Sequence, residues 1–227
     1  YDHWMYLSSS GCLTAGRQIA DHALFPYITD DLLHRNAHST GPITAINIVE
    51  NKNRNSWQPF SSQLDNYKKE RNLYKNSLGN KVIFEEINHA LNVGFTYEWN
   101  SSDNYGFVRK SCFTNQSDTP ISVQLIDGVQ NLLPQGVEPD LQNASSNLVD
   151  AYKKCELEQD TGLGIYSLSA IIVDKAEPSE ALKANVVWSI GLGQSKKLIS
   201  SLQLDNFRKG ESVSQEIDIK AEKGAYF

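Results

Sequence analysis

Hydrophobic residues recur along this chain mostly with a period of two. Val82, Phe84 and Glu86 fall on one side of a run whose other side carries Ile83, Glu85 and Ile87. Val93, Phe95, Tyr97 and Trp99 share a face opposite Gly94, Thr96 and Glu98, and Ile121, Val123 and Leu125 alternate with Ser122 and Gln124. Val213, Ile217 and Ile219 do the same against Ser214, Glu216 and Asp218, while Ile43, Ala45 and Val49 form a run blurred by Ile46 and Ile48. Short runs rich in β-branched and aromatic residues are strand composition. Leu78-Gly-Asn-Lys81, Asn100-Ser-Ser-Asp-Asn104 and Thr114–Pro120 punctuate them as hairpin connections. The pattern predicts an antiparallel all-β meander, folded as a sandwich or barrel. One stretch, Pro139 to about Glu158, has near-helical spacing through Leu141, Leu148 and Tyr152, although its Asn and Ser content is poor for a helix. No βαβ alternation is present, which argues against a nucleotide-binding parallel sheet.

The chain has 227 residues, of which 40% are hydrophobic, enough for a packed core. It reads as a single β domain over 1–227, without an internal repeat or a long Pro/Gly/Ser linker. Its 21 Lys+Arg against 27 Asp+Glu give a formal charge of −6, the wrong sign for a general nucleic-acid binder. No apolar run is long enough for a membrane-spanning helix, so neither nucleic acid nor membrane is an expected partner. The first residue is Tyr1 and the last five are Lys-Gly-Ala-Tyr-Phe. These ends suggest a piece of a longer polypeptide, with removal of an export signal as the alternative. Three widely spaced cysteines, Cys12, Cys112 and Cys155, form no disulfide framework or zinc motif and favour the cytoplasm over the periplasm. Cys112, in an apolar run, is expected to be buried.

Candidate chemistry is sparse. Four of the five histidines lie in the first 38 residues (His3, His22, His34, His38), at spacings that match no ligand motif, so no metal or cofactor is expected. Ser8-Ser-Ser-Gly11 and Gly162-Leu-Gly164 read as turns, and Asn100-Ser-Ser, Asn115-Gln-Ser and Asn143-Ala-Ser as loop markers. Glu85 and Glu86 are strand neighbours pointing to opposite faces, so they cannot flank one bond; with Glu98 they are expected at the surface. Between Asn51 and Lys81 the basic residues Lys52, Arg54, Lys68, Lys69, Arg71, Lys75 and Lys81 face only Asp65 and Glu70, the charge pattern of solvated edge strands. Trp99 and Trp188 sit in strand patterns and are expected in the core; Trp57, between Ser56 and Gln58, is expected to be exposed. The segment Cys12 to Asp31 is the densest in polar and aromatic groups without periodicity, the composition of a loop that lays rings on sugar faces and side-chain polar groups on hydroxyls.

Gly16-Arg17 followed by Ala23-Leu-Phe-Pro-Tyr-Ile-Thr-Asp-Asp31 resembles the Asn-Ser-Arg-Glu-Asn … Leu-Thr-Pro-Trp-Ser-Asn-Asp-Pro segment of cellobiose- and chitobiose-phosphorylase-like enzymes. Tyr105–Asp127, with its Thr-Asn-Gln-Ser turn and returning alternating strand, is similar to a strand pair of the same family. Tyr27-Ile-Thr29 stands where the family has Trp-Ser-Asn, and Arg17 lacks the flanking Asn and Glu. The resemblance implies an antiparallel β super-sandwich related to galactose mutarotase, packed in the parent protein on an (α/α)6 catalytic barrel that a chain this short and helix-poor does not contain. It carries over Arg17, Tyr27, Asp30 and Asp31 as candidate sugar-pocket or domain-interface residues, to which Trp57 is added for its expected exposure. Implied partners are the helical catalytic domain, an oligosaccharide and a second copy in a homodimer; no catalytic residue is expected here. Two alternatives stay open. A free-standing aldose epimerase would bring His89 and a Glu into one deep pocket, and a carbohydrate-binding module would expose coplanar rings among Trp57, Trp99 and Trp188.

Overall fold

The computed structural model describes residues 2–50, 53–61, 66–172 and 183–227. Lys52 and Asp65 of the basic stretch lie outside these residues. The chain is all-β, with antiparallel pairing throughout the described ladders and a few short helices. It divides into two compact units, one built chiefly from Thr44–Asp127, the other from Asp2–Ser8, Cys12–Ile43 and Gly128–Phe227.

In the first unit, β5 (Lys69–Lys75), β6 (Lys81–Asn88), β7 (Val93–Ser102) and β8 (Gly106–Asn115) form a meander in that order. The turn between β5 and β6 closes through the Asn76 and Gly79 amides, with Gly79 at φ +72°, as the Leu-Gly-Asn-Lys signal requires. One side of this sheet buries Phe84, Glu86, Val93, Phe95, Tyr97 and Trp99, the face read from the alternation. Against it lie β3 (Gly41–Glu50), β4 (Asn53–Trp57) and the first part of β9 (Ser122–Leu132). Ala45, Ile46, Asn47 and Ile48 of β3 are all buried, because a strand flanked on both edges and covered on both faces has no solvent side. That is why its alternation is blurred. Phe60 fills the gap between layers, edge-on to Phe84, Phe95 and Tyr97 at 6.1, 6.4 and 5.1 Å, and Phe84 stacks on Tyr97 at 4.7 Å. The unit is thus a β-sandwich. Its edge strands β4 and β5 carry Arg54, Lys69, Arg71 and Lys75, where charge hinders edge-to-edge pairing. On β9 the expected face inverts at its centre: Leu125 is 37% exposed and Ile126 is buried.

In the second unit, β1 (His3–Leu7) and β2 (Leu13–Arg17) form a hairpin within a segment whose second half had read as irregular. The second part of β9 pairs with β14 (Gly224–Tyr226). A second sheet has the order β12 (Asn185–Val187), β11 (Leu163–Leu168), β10 (Lys153–Glu158), β13 (Asp218–Lys220). The expected helix from Pro139 is two short ones, α1 (Pro139–Ala144) and α2 (Ser146–Tyr152), and it stops at Tyr152. From there Lys153, Cys155 and Leu157 are buried in alternation, a period of two that overrides weak helix propensity. Val149 of α2 packs with Ala23, Leu133, Val137 and Leu168 in a small core. A third helix, α3 (Leu204–Arg208), buries Leu204 and Phe207.

The run Val213–Ile219 departs most from its pattern. Only Asp218–Lys220 is strand, Glu216 is buried and Ile217 is 48% exposed. The cause is the Glu216 carboxylate, which accepts from the Ile199 and Ser200 amides, the Ser200 hydroxyl and the Gln203 side-chain amide. Four donors converging on one carboxylate outweigh the burial of one isoleucine.

Candidate functional site

The candidate residues divide. Tyr27 is half-buried and meets the ring of Trp4 edge-on, with centroids 5.8 Å apart. Trp4 also contacts Tyr6 at 6.0 Å, and Tyr6 is 52% exposed. The hairpin register makes this cluster: Trp4 lies opposite Gly16, and Tyr6, two residues on, projects from the same face. Gly16 is required there, since a Cβ would stand 2.6 Å from Trp4 Cζ2 and 2.7 Å from the His22 carbonyl oxygen. Arg17 is exposed and pairs with His3, so the pleat turns it to the other face of the hairpin from Trp4. Asp30 and Asp31 open a 3-10 stretch, Asp30–Asn36, held down by buried Leu33; Asp31 is exposed, and the side chain of Asp30 lies outside what is described. The structure therefore gathers Tyr27 with two aromatics that the sequence reading did not single out. Their signal was the Trp-x-Tyr spacing of a strand.

Trp57, expected to be exposed, is 1% exposed. Its indole N–H donates to Glu86 Oε1 at 2.8 Å, and Glu86, expected at the surface, is fully buried. Glu86 Oε2 accepts from the Phe60 amide at 2.8 Å and from Arg71 Nε at 2.5 Å, while the Arg71 fork reaches the Ser61 carbonyl at 2.7 Å. Phe60 is held at φ +63°, an uncommon conformation for a side-chain-bearing residue, and the carboxylate captures the amide it presents. Polar neighbours in the sequence gave Trp57 a surface signature, but the indole proton needs an acceptor and Glu86 brings one inside. Three fixed donors hold this carboxylate in the sandwich, where it ties Trp57, Phe60 and Arg71 together.

A second, part-buried pair crosses the same sandwich. Arg109 on β8 donates bidentately to Asp127 on β9, both bonds 2.8 Å, and the Thr44 hydroxyl adds a 2.6 Å bond. The guanidinium lies 4.7 Å from the centre of the Tyr97 ring. Burial alone would raise the Asp127 pKa, but Arg109 with the Thr44 and Ser111 hydroxyls outweighs it and holds the carboxyl below its usual range. Burial raises the Tyr97 hydroxyl well above the usual tyrosine range.

The outer face of the meander is polar and open. Asn72 stands opposite Glu85, which stands opposite Thr96, and Thr96 opposite Cys112. Glu85 accepts from Asn72 and Tyr74 at 3.0 Å each, and Glu98 pairs with Lys81 at 3.0 Å. Cys112, expected inside, is exposed on this face, because its parity in β8 places it outward however apolar its neighbours. His89 is exposed and turns Nε2 toward the exposed Glu70 at 3.5 Å, a surface pair, while Glu86 points into the sandwich. Trp99 is buried as expected; Trp188, expected in the core, is 41% exposed and follows the edge strand β12. Among the described residues no three His, Cys, Asp or Glu side chains converge as metal ligands.

Of the clusters described, Trp4–Tyr6–Tyr27 presents aromatic ring surface outward, with Tyr6 52% exposed; the Glu86, Asp127 and Glu216 carboxylates are engaged by their own donors. A scan against models of known protein families finds no match to this chain, and a search of curated proteins finds none either.

Proposed function

We propose that this chain is a non-catalytic β domain of a carbohydrate-active protein, of the galactose-mutarotase-like super-sandwich type that accompanies helical catalytic domains in glycoside phosphorylases and hydrolases. The observation that carries the reading is the aromatic cluster of Trp4, Tyr6 and Tyr27, of which Tyr27 alone lies in the segment that resembles that family. Tyr6, 52% exposed, offers ring surface on which the apolar face of a sugar can pack. Glu86 and Asp127 are held by fixed donors, so the reading gives neither of them a catalytic role. In the parent protein this domain shapes the rim of the sugar site, and the catalytic carboxylates belong to the helical domain.

The test is an assay of the chain alone against cello- and chito-oligosaccharides, with and without inorganic phosphate. The reading expects saturable, weak binding and no release of sugar or sugar phosphate. Turnover by the isolated chain overturns it.

A further inference from the structure

One edge of the second unit's four-stranded sheet is unguarded. The strand β12 is paired on one side only, with Asn185, Val186 and Val187 opposite Tyr166, Ile165 and Gly164 of β11. One of its faces is anchored: the Asn185 side-chain amide donates to the Leu133 carbonyl at 2.8 Å. The other face is apolar and open. Val186 (45% exposed), Trp188 (41%) and Ile190 (90%) recur at alternate positions, the spacing that lines side chains along one side of an extended chain. Beyond them, among the described residues, the backbone of 190–194 makes no bond to another backbone group through either its N–H or its C=O. Donors and acceptors left open together are what a further strand pairs with.

Charge singles this edge out. The edge strands β4, β5, β8 and β13 carry charged side chains, among them Arg54, Lys69, Lys110 and Asp218, which hinder pairing with another strand. From Ala184 to Ser195 there is no charged residue, in a chain of which 21% is charged. Such a strip accepts a strand of its own kind and rejects a charged one, whose side chains would lose water and gain no counter-charge. Two copies of net charge −6 repel at a distance, and this strip lets them meet without like charges opposed.

We infer that β12 and the chain to Ile190 form an interface between two copies of this protein, paired as antiparallel strands about a two-fold axis at Trp188. That register is self-complementary. It sets Val186 of each copy against Ile190 of the other, brings the two Trp188 side chains together at the axis, and places Lys183 opposite Gly193. The inference draws on neither the saccharide reading nor the family resemblance.

The experiment is sedimentation velocity on the intact chain from roughly 1 μM to 1 mM, the range in which small interfaces associate, at about 0.15 M salt to screen the net charge. Wild type should pass from monomer to dimer across the series. Ile190→Lys, at a side chain exposed enough to spare the fold, should dimerise at least about ten-fold more weakly, because each copy brings an ammonium into an uncharged strip. Leu78→Lys, at an 82% exposed apolar position in the other unit, should dimerise as wild type. Val186→Glu combined with Ile190→Lys should restore dimerisation, since the register sets each new carboxylate against the other copy's new ammonium. The inference is overturned by a wild type that stays monomeric throughout, by Ile190→Lys dimerising as wild type, by Leu78→Lys weakened as much as Ile190→Lys, or by a double variant no better than Ile190→Lys. If Ile190→Lys does not fold, Val186→Lys decides: weakened dimerisation supports the interface and unchanged dimerisation overturns it.

Discussion

The indole of Trp57 and the carboxylate of Glu86 form a 2.8 Å hydrogen bond inside the first β-sandwich, with both side chains essentially out of solvent. Neither partner makes sense in the core alone: the indole would bury an orphan donor and the carboxylate an uncompensated charge. Glu86→Gln keeps the shape but replaces one acceptor oxygen with a donor that faces existing donors. It should lower stability by about 2 kcal/mol, the usual cost of leaving buried hydrogen-bonding groups unpaired, read as a lower urea midpoint with unchanged slope. Trp57→Phe should cost less, because it removes the donor along with its demand.

Arg109 and Asp127 set an acid limit on the same sandwich. The folded carboxyl titrates below its unfolded value, near 4 for an aspartate, because Arg109 outweighs the effect of burial. Its stabilisation is therefore fully present above about pH 4 and is lost as pH falls through the lower folded value. Asp127→Asn should flatten the acid limb of a stability–pH curve. Arg109→Met, which strands the buried carboxylate, should cost about 3 kcal/mol at pH 7. An acid limb unchanged in Asp127→Asn would assign the pH dependence to other groups.

The thiols should react unequally. Cys112 is exposed, whereas Cys12 and Cys155 are buried and burial pushes their pKa values up to about 11 and about 12. A thiol reagent at pH 8 should label one cysteine quickly in native protein and all three in denaturant. Cys112→Ser should remove the fast phase; a fast phase that persists contradicts the assigned face of β8.

Gly16 is a steric fulcrum for the aromatic cluster. Gly16→Ala places a methyl within 2.6–2.8 Å of Trp4, the His22 carbonyl and the Ala23 backbone. Two of these three are backbone and cannot swing aside, so the change should destabilise by about 2 kcal/mol, as overpacking does, and shift Trp4 fluorescence. A stability like that of the parent would show that the hairpin relaxes freely.

Much of the sandwich was legible because strands covered on one face keep a clean period of two, as Val93–Trp99 does. The strand β3 blurred because it is covered on both faces, and the reading of Val213–Ile219 inverted because Glu216 is drawn inward by four donors. Trp57, Glu86 and Glu216 share one lesson. A polar residue's place depends on partners far along the chain, which local periodicity does not encode. Trp4 and Tyr6, which meet Tyr27, carried only the Trp-x-Tyr spacing of a five-residue strand as a signal, and so short a strand shows hardly one period.

The central claim is that the Trp4–Tyr6–Tyr27 cluster binds saccharide without catalysis. It is tested by calorimetric titration of wild type and Tyr6→Ala with a panel of neutral oligosaccharides, Trp57→Phe serving as a control in the other unit. Tyr6 is 52% exposed, so its removal should spare the fold. The account predicts saturable binding by wild type and Trp57→Phe and its loss in folded Tyr6→Ala. Equal binding by Tyr6→Ala and wild type, or no binding by any of the three, would contradict it.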